Sequence, residues 1–470
     1  MPVPASDSST AGKPRSGTSA RAAVSTLVVL LVLVTLAAGY LSSWLPLVAG
    51  FPAGAIIRDA MCAVIIVAGL AALVVRRPDG PVGTAPARVV LAPLALLAVW
   101  VIILTATSHS LTGALLSARN LLLYPVVAVA VYGLWTRGLV NGRFVVGGML
   151  GLGCIAAALG LADTFTGGAI VERLGFRPDF TGLPTAGFGV EGVSGGVAGV
   201  VRASGGISDA LVFGYLMAFV ALVALWLGTQ TLAGGPTFRW QTAGGLAAGL
   251  ALAAMIASLT RGAWVAFAVG LVALILMRPG RAILAASLLA IVLAVAGTTA
   301  MSALTPAEQS GNLGGAVADR VGSADSASQL SSQARVDELR TGLETLIARP
   351  LGTGLGSEGA GADRAGSVAV KSTIDIYVMI VALQTGIPGL VIWLSGVAAV
   401  LAWVVRNRRH GGAPIIGAGL AFGVVASILS FTPDAPPMSL FFWLILLSLA
   451  VAASDERSPG FPLPGSGAAA

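Results

Sequence analysis

The sequence is short of charge. Only 10% of its 470 residues are Asp, Glu, Lys or Arg, against about 25% in an ordinary soluble domain. A soluble chain of this length must cover its exterior with polar groups, so a soluble globular enzyme and a disordered chain are both excluded. Cysteine is nearly absent: Cys62 and Cys154 are the only two, and both sit in apolar stretches. That excludes a disulfide framework and a zinc cluster. Two histidines, His109 and His410, are too few for a histidine-based metal site. No G-x-x-x-x-G-K-[ST] string occurs, which removes a P-loop. Two G-x-G-x-x-G strings, at Gly187, Gly189, Gly192 and at Gly354, Gly356, Gly359, lack the strand-to-helix context of a dinucleotide site and read as loop chemistry. No nucleotide partner is expected. Without a Lys/Arg run interleaved with aromatics, no nucleic-acid partner is expected either.

What is present is apolar: 56% of the residues are hydrophobic and the mean hydropathy is +0.92. Runs long enough to cross a bilayer lie near 22–41, 56–75, 89–107, 121–135, 144–162, 210–227, 243–259, 263–277, 282–300, 386–405, 414–431 and 438–453. About 20 residues at 1.5 Å each span a hydrocarbon core of about 30 Å. The expected fold is all-α, a polytopic membrane helix bundle of about 12 transmembrane helices occupying residues 22–453. Residues 1–21 and 454–470 read as disordered cytoplasmic tails. With both ends in the cytoplasm, the surplus of arginine falls inside, as the positive-inside rule requires. Two long loops, 163–209 and 301–372, then lie outside. Within the second, residues 334–349 repeat Val336, Leu339, Leu343, Leu346 and Ile347 at helical spacing. They read as an amphipathic helix on the membrane face or over the bundle.

The net charge is +7, and Lys13 and Lys371 are the only lysines. The positive-inside rule disfavours arginines at outer helix ends, yet Arg58, Arg119, Arg202, Arg261, Arg335 and Arg340 all fall there. Each could snorkel to the interface or pair with an acid such as Asp59 or Asp337. Together they point to an anion site, because a guanidinium fork binds phosphate through two charge-assisted hydrogen bonds. Arg261, in the short turn SLTRGAW, is held close to the bilayer surface. Asp375 in KSTIDIYVMIVALQTGIPG has two readings that can both hold. Ser372-x-x-Asp375 forms a capping box at a helix start, and Asp375 is a candidate general base near the arginines. Hardly any charge falls in mid-span, which argues against an ion-coupled transporter. No cofactor is expected; a divalent metal is compatible with the chemistry, but the sequence offers no dedicated metal site.

Several of these pieces follow one another in a known order. Arg202 is followed by ASGGISDALVFGYLM, then come SLTRGAWVAF at 258–267, a long loop with Arg335, RPLGTGLGS at 349–357 and GIPGL at 386–390. In this the chain resembles the O-antigen ligase and polymerase superfamily over roughly residues 200–430. That resemblance implies a bacterial inner-membrane glycosyltransferase, inverting in type. The donor would be a polyprenyl-diphosphate-linked glycan and the acceptor a saccharide or lipid, in contact with membrane lipids at the outer face. It implies Arg202 and Arg261 as diphosphate contacts, with Arg335 beside them. Ligases of this family carry a His, then Asn, Ser or Gln, nine residues and G-x-x-G. Here Gly386-x-x-Gly389 is in place, but the His position is Asp375, so a carboxylate would have to be the base. Two other readings remain: a lipid-linked oligosaccharide flippase or exporter, and a non-catalytic scaffold of a cell-wall assembly.

Overall fold

The computed structural model describes residues 17–37, 53–74, 85–108, 110–170, 202–205, 207, 210–228, 237–277, 326–357, 376–408, 413–430, 438–440 and 442–444. Among them there is no strand. The helices are α1 (Gly17–Leu36), α2 (Ala53–Val74), α3 (Ala85–Ala106), α4 (Leu111–Thr136), α5 (Gly142–Phe165), α6 (Ala210–Gly228), α7 (Thr237–Ala257), α8 (Arg261–Met277), α9 (Ser326–Ala348), α10 (Tyr377–Arg406) and α11 (Ala413–Leu429). Five of them, α1, α4, α5, α6 and α10, contain windows long and apolar enough to cross a membrane, and shorter apolar helices accompany them. The expected run 282–300 lies outside the described residues, as do most of 438–453 and His109, His410, Gly187, Gly189, Gly192 and Gly359.

Helix α6 shows how composition sets position. It carries no charged residue, and 17 of its 19 residues are buried. A helix apolar on every side belongs at the centre of a bundle, and α5, α7, α8 and α11 pack around it. Small residues permit the closest approaches: a Cβ on Gly244 of α7 would lie 2.7 Å from the Gly228 Cα of α6. The periphery is the reverse. Val67 (69%), Val74 (81%), Ile102 (65%) and Leu276 (75%) are exposed, a surface suited to lipid.

Two expectations are corrected around α10. The apolar run was placed at 386–405, but the helix starts at Tyr377 and breaks at Gly386, which has φ 71° and ψ −176°. The capping box is not formed either. The N-cap is Ile376, no side chain caps it, and the first turn holds no acid, so Asp375 precedes the helix. The break has a physical cause in the loop that follows α9. A side chain at Gly386 would run into Leu351, and its Cβ would lie 2.7 Å from the Pro350 oxygen. Breaking a helix strands carbonyls that must find donors. Here the Thr353 backbone N–H donates to Leu383 O at 2.7 Å, Trp100 Nε1 donates to Thr385 O at 2.8 Å, and the Ile387 N–H donates to Pro350 O at 2.8 Å. The segments RPLGTGLGS and GIPGL, distant in sequence, are thus one joint.

Helix α9 begins at Ser326, eight residues before the expected 334. It lies over α10: Leu339 and Leu346 pack with Ile376, Met379 and Leu383. Of the two placements open to an amphipathic helix, it takes the one over the bundle.

Candidate functional site

The site is built on a three-residue turn, Ser258–Leu259–Thr260, between α7 and α8. Leu259 is fully buried and has φ 52°, a left-handed conformation that costs a β-carbon residue of order 1–3 kcal/mol and clusters at functional sites. The turn is held from two sides. Ala203 N–H donates to Ala257 O at 3.0 Å. Arg202 Nε donates to the Ser258 carbonyl at 2.8 Å and its Nη2 to Thr260 Oγ1 at 3.0 Å. Arg261, half-buried, comes next and opens α8. Arg202 and Arg261 are therefore brought to one place.

Arg335 joins them from α9. Its Nη1 donates to the carbonyl of Leu429 at the end of α11. A Cβ on Gly262 would lie 3.7 Å from the Leu429 Cβ and would strike the Tyr215 hydroxyl. Tyr215, fully buried in α6, lies within electrostatic reach of Arg335. Its hydroxyl has no hydrogen-bond partner among the described residues, and a buried hydroxyl left so costs about 1–3 kcal/mol. The next residue, Ser430, accepts from the Tyr377 N–H at 3.3 Å, which brings the start of α10 to the same end. Asp375 itself lies outside the described residues, two positions before that contact. Sequence reasoning missed Tyr215, Ser258 and Thr260. The signal for Tyr215 was a lone hydroxyl in an otherwise apolar span.

The other three arginines are not brought here. Arg58 Nε donates to Asp59 Oδ1 at 3.0 Å, and Arg119 donates to the same carboxylate through Nε at 2.9 Å and Nη2 at 2.8 Å. They form a separate group between α2 and α4. Arg340 pairs with Glu344 one turn along α9 at 3.0 Å, both exposed. Among the described residues no three His, Cys, Asp or Glu converge on a metal position.

Close to the arginine site, between α3, α4, α10 and α11, runs a crevice partly open to the outside. Pro93 and Leu97 of α3, Trp393 of α10, Leu420 of α11 and Trp443 line it, with Tyr377 and with Ser427, two residues before Leu429. Its walls are almost wholly apolar, as an acyl or prenyl chain requires.

A helical bundle with lipid-suited flanks and arginines gathered at one end of its core defines a multi-pass membrane protein. Comparison with known sequences is more specific. Residues 246–394 match the model of the O-antigen ligase family, Wzy_C. The chain is also 26% identical over 411 residues to an O-antigen polymerase of Salmonella muenchen, covering 84% of this chain and 96% of that protein. The resemblance to the O-antigen ligase and polymerase superfamily therefore extends over most of the chain. The family match runs from mid-α7 to Trp393–Leu394 in α10 and contains Arg261, Arg335, Arg340 and Asp375; Arg202, Arg58 and Arg119 fall outside it.

Proposed function

We propose that the chain is a membrane glycosyltransferase of O-antigen ligase or polymerase type in the bacterial inner membrane. It acts on a saccharide carried by a polyprenyl diphosphate, at the outer face. The family match and the Salmonella relative support the transferase role. The observation that carries the chemistry is the gathering of Arg202, Arg335, the Arg261 turn and the buried Tyr215 hydroxyl at one end of the bundle, beside an apolar crevice.

In this reading the prenyl chain lies in the crevice and the diphosphate meets the arginines. The acceptor oxygen attacks the anomeric carbon from the face opposite the leaving group. The carbon–oxygen bond to phosphate breaks, the diphosphate departs with the electron pair, and the acceptor proton passes to the Asp375 carboxylate. The configuration inverts. Negative charge grows on the leaving diphosphate as the bond breaks, so guanidinium groups fixed beforehand in a water-poor site stabilise the transition state more than the ground state. Tyr215 supplies one further donor to a phosphate oxygen. The strained Leu259 turn keeps Arg261 from relaxing towards water.

The test is transfer by the purified protein in vesicles supplied with lipid-linked saccharide, with product resolved by length. Arg261→Ala and Asp375→Asn are each expected to lose transfer by at least about 10²-fold while the protein still inserts. Full activity in Arg261→Ala would end the diphosphate assignment.

A further inference from the structure

The group formed by Arg58, Arg119 and Asp59 is built like a ligand site rather than a closed ion pair. Two guanidiniums that cannot lose their protons face one carboxylate, which leaves one positive charge. Among the described residues no other acid is recorded on either arginine. Arg58 is 5% exposed, and with one carboxylate shared between two guanidiniums the surplus positive charge favours a further anion. Among the described residues Arg58 donates only through Nε, which leaves its terminal nitrogens for a ligand.

A second observation points the same way. Tyr124 of α4 lies within electrostatic reach of Arg58 and is 3% exposed. Its buried hydroxyl has no partner among the described residues. The surroundings set the kind of anion. Ile56 (46%) and Ile57 (38%) precede Arg58, and Leu115 (53%), one turn before Arg119, is also exposed. Apolar, lipid-suited surface therefore lies on both helices beside the group. Arg58 lies five residues into α2, about 8 Å from the helix start at 1.5 Å per residue, so the group sits towards one end of that helix. A soluble anion would have no reason to approach across that surface.

We propose that Arg58 and Arg119, gathered on Asp59 and with Tyr124 beside them, form a second phosphate site that takes the headgroup of a membrane lipid, separate from the Arg202, Arg261 and Arg335 site. Asp59 holds both guanidinium planes and is too little charge to neutralise them. The site does not depend on the glycosyl-transfer reading. Only one identity of its lipid does: a second lipid-linked diphosphate, whose saccharide would be the acceptor.

The test measures binding without turnover, so it fails or succeeds apart from that reading. The full chain in neutral nanodiscs, as wild type and as Arg261→Ala, is titrated with phosphatidylglycerol, with a polyprenyl diphosphate and with phosphatidylcholine, and followed by thermal shift and native mass spectrometry. At least one anionic phosphate lipid is expected to bind in Arg261→Ala. Arg119→Gln added to it should weaken that binding at least tenfold, and Tyr124→Phe several-fold. Asp59→Asn, which adds a positive charge, should tighten it. Tenfold preference for the diphosphate assigns the site to a lipid-linked substrate, and equal or stronger binding of phosphatidylglycerol assigns it to a resident phospholipid. The proposal is overturned if neither anionic lipid binds better than phosphatidylcholine. It is equally overturned if Asp59→Asn weakens binding as Arg119→Gln does, because the group would then be a structural ion pair.

Discussion

Arg335 and Arg58 each stand beside a buried tyrosine whose hydroxyl has no partner among the described residues, Tyr215 and Tyr124 respectively. Beyond that the two regions diverge. Arg58 and Arg119 converge on a carboxylate between two helices at the flank of the bundle. Arg335 is aimed by a neutral oxygen, that of Leu429 at the end of α11, close to the turn that Arg202 holds through Ser258 and Thr260. A neutral oxygen orients a guanidinium without cancelling its charge, whereas a carboxylate does both. A transition state that sheds a diphosphate benefits from the first arrangement. A lipid held at rest is served by the second. If this difference is functional, substitutions in the two regions should separate by kinetic parameter. Arg261→Ala should lower kcat by about 10²–10³, the range for removing one preorganised donor to a developing oxyanion. Arg119→Gln should leave kcat near its starting value and appear, where it appears at all, in KM. Steady-state transfer assays on both variants decide this, and equal loss of kcat in both would erase the distinction.

The joint between the 349–357 loop and α10 offers a structural way to separate the regions. Gly386 has a positive φ and faces Leu351 and Pro350. Ala there would carry both the left-handed penalty and an overpacked contact, so Gly386→Ala should cost about 3 kcal/mol. In detergent its melting temperature should fall. Because that loop leads out of α9, the arginine lost from its place should be Arg335 and not Arg58. Cross-linking of Cys pairs introduced on α9 and α11 should weaken, while pairs on α2 and α4 should be unaffected.

Tyr215→Phe is a smaller change, and its two effects have opposite signs. Deleting a buried hydroxyl that lacks a partner should stabilise the ligand-free protein by about 1 kcal/mol. If that hydroxyl donates to phosphate, the same deletion should weaken diphosphate binding about tenfold, which is about 1.4 kcal/mol. A gain in melting temperature without loss of binding would leave the tyrosine as core alone.

The legibility of these features in the sequence follows the distance over which each is set. Long apolar runs announce the helices, α6 among them, but its place at the centre of the bundle is seen only in the structure. Arg58 beside Asp59 is a neighbour pair, and Asp59 is visible as its partner. Arg119 on the same carboxylate, 60 residues away, is not. The break in α10 is invisible for the same reason. Gly386 and Pro388 hint at a boundary and invite a helix start there. Only the donors from Thr353 and Trp100 make it tolerable for a helix to begin at Tyr377 and break. The serine at 372 and acid at 375 imitate a capping box, but the chain enters α10 through Ile376. Local pattern cannot tell a cap from a residue just short of one. That three of six arginines would gather was a matter of tertiary contacts between α6, α8, α9 and α11, for which spacing along the chain carries no information.

The least effect is expected at Arg340, and it is the control on the whole comparison. Arg340 and Arg335 are five residues apart on α9, about 140° around a helix of 3.6 residues per turn. One donates to the end of α11, and the other faces outward, with 79% of its side chain exposed. Its pair with Glu344 is of the i, i+4 kind in full solvent, worth about 0.3–0.5 kcal/mol before salt screens it. Arg340→Ala should therefore shift the melting temperature by no more than a degree or so and leave transfer unchanged. At raised ionic strength even that shift should vanish. Loss of transfer in Arg340→Ala comparable to Arg261→Ala would mean that positive charge anywhere on this face suffices, and that the geometry around Ser258 and Thr260 is incidental.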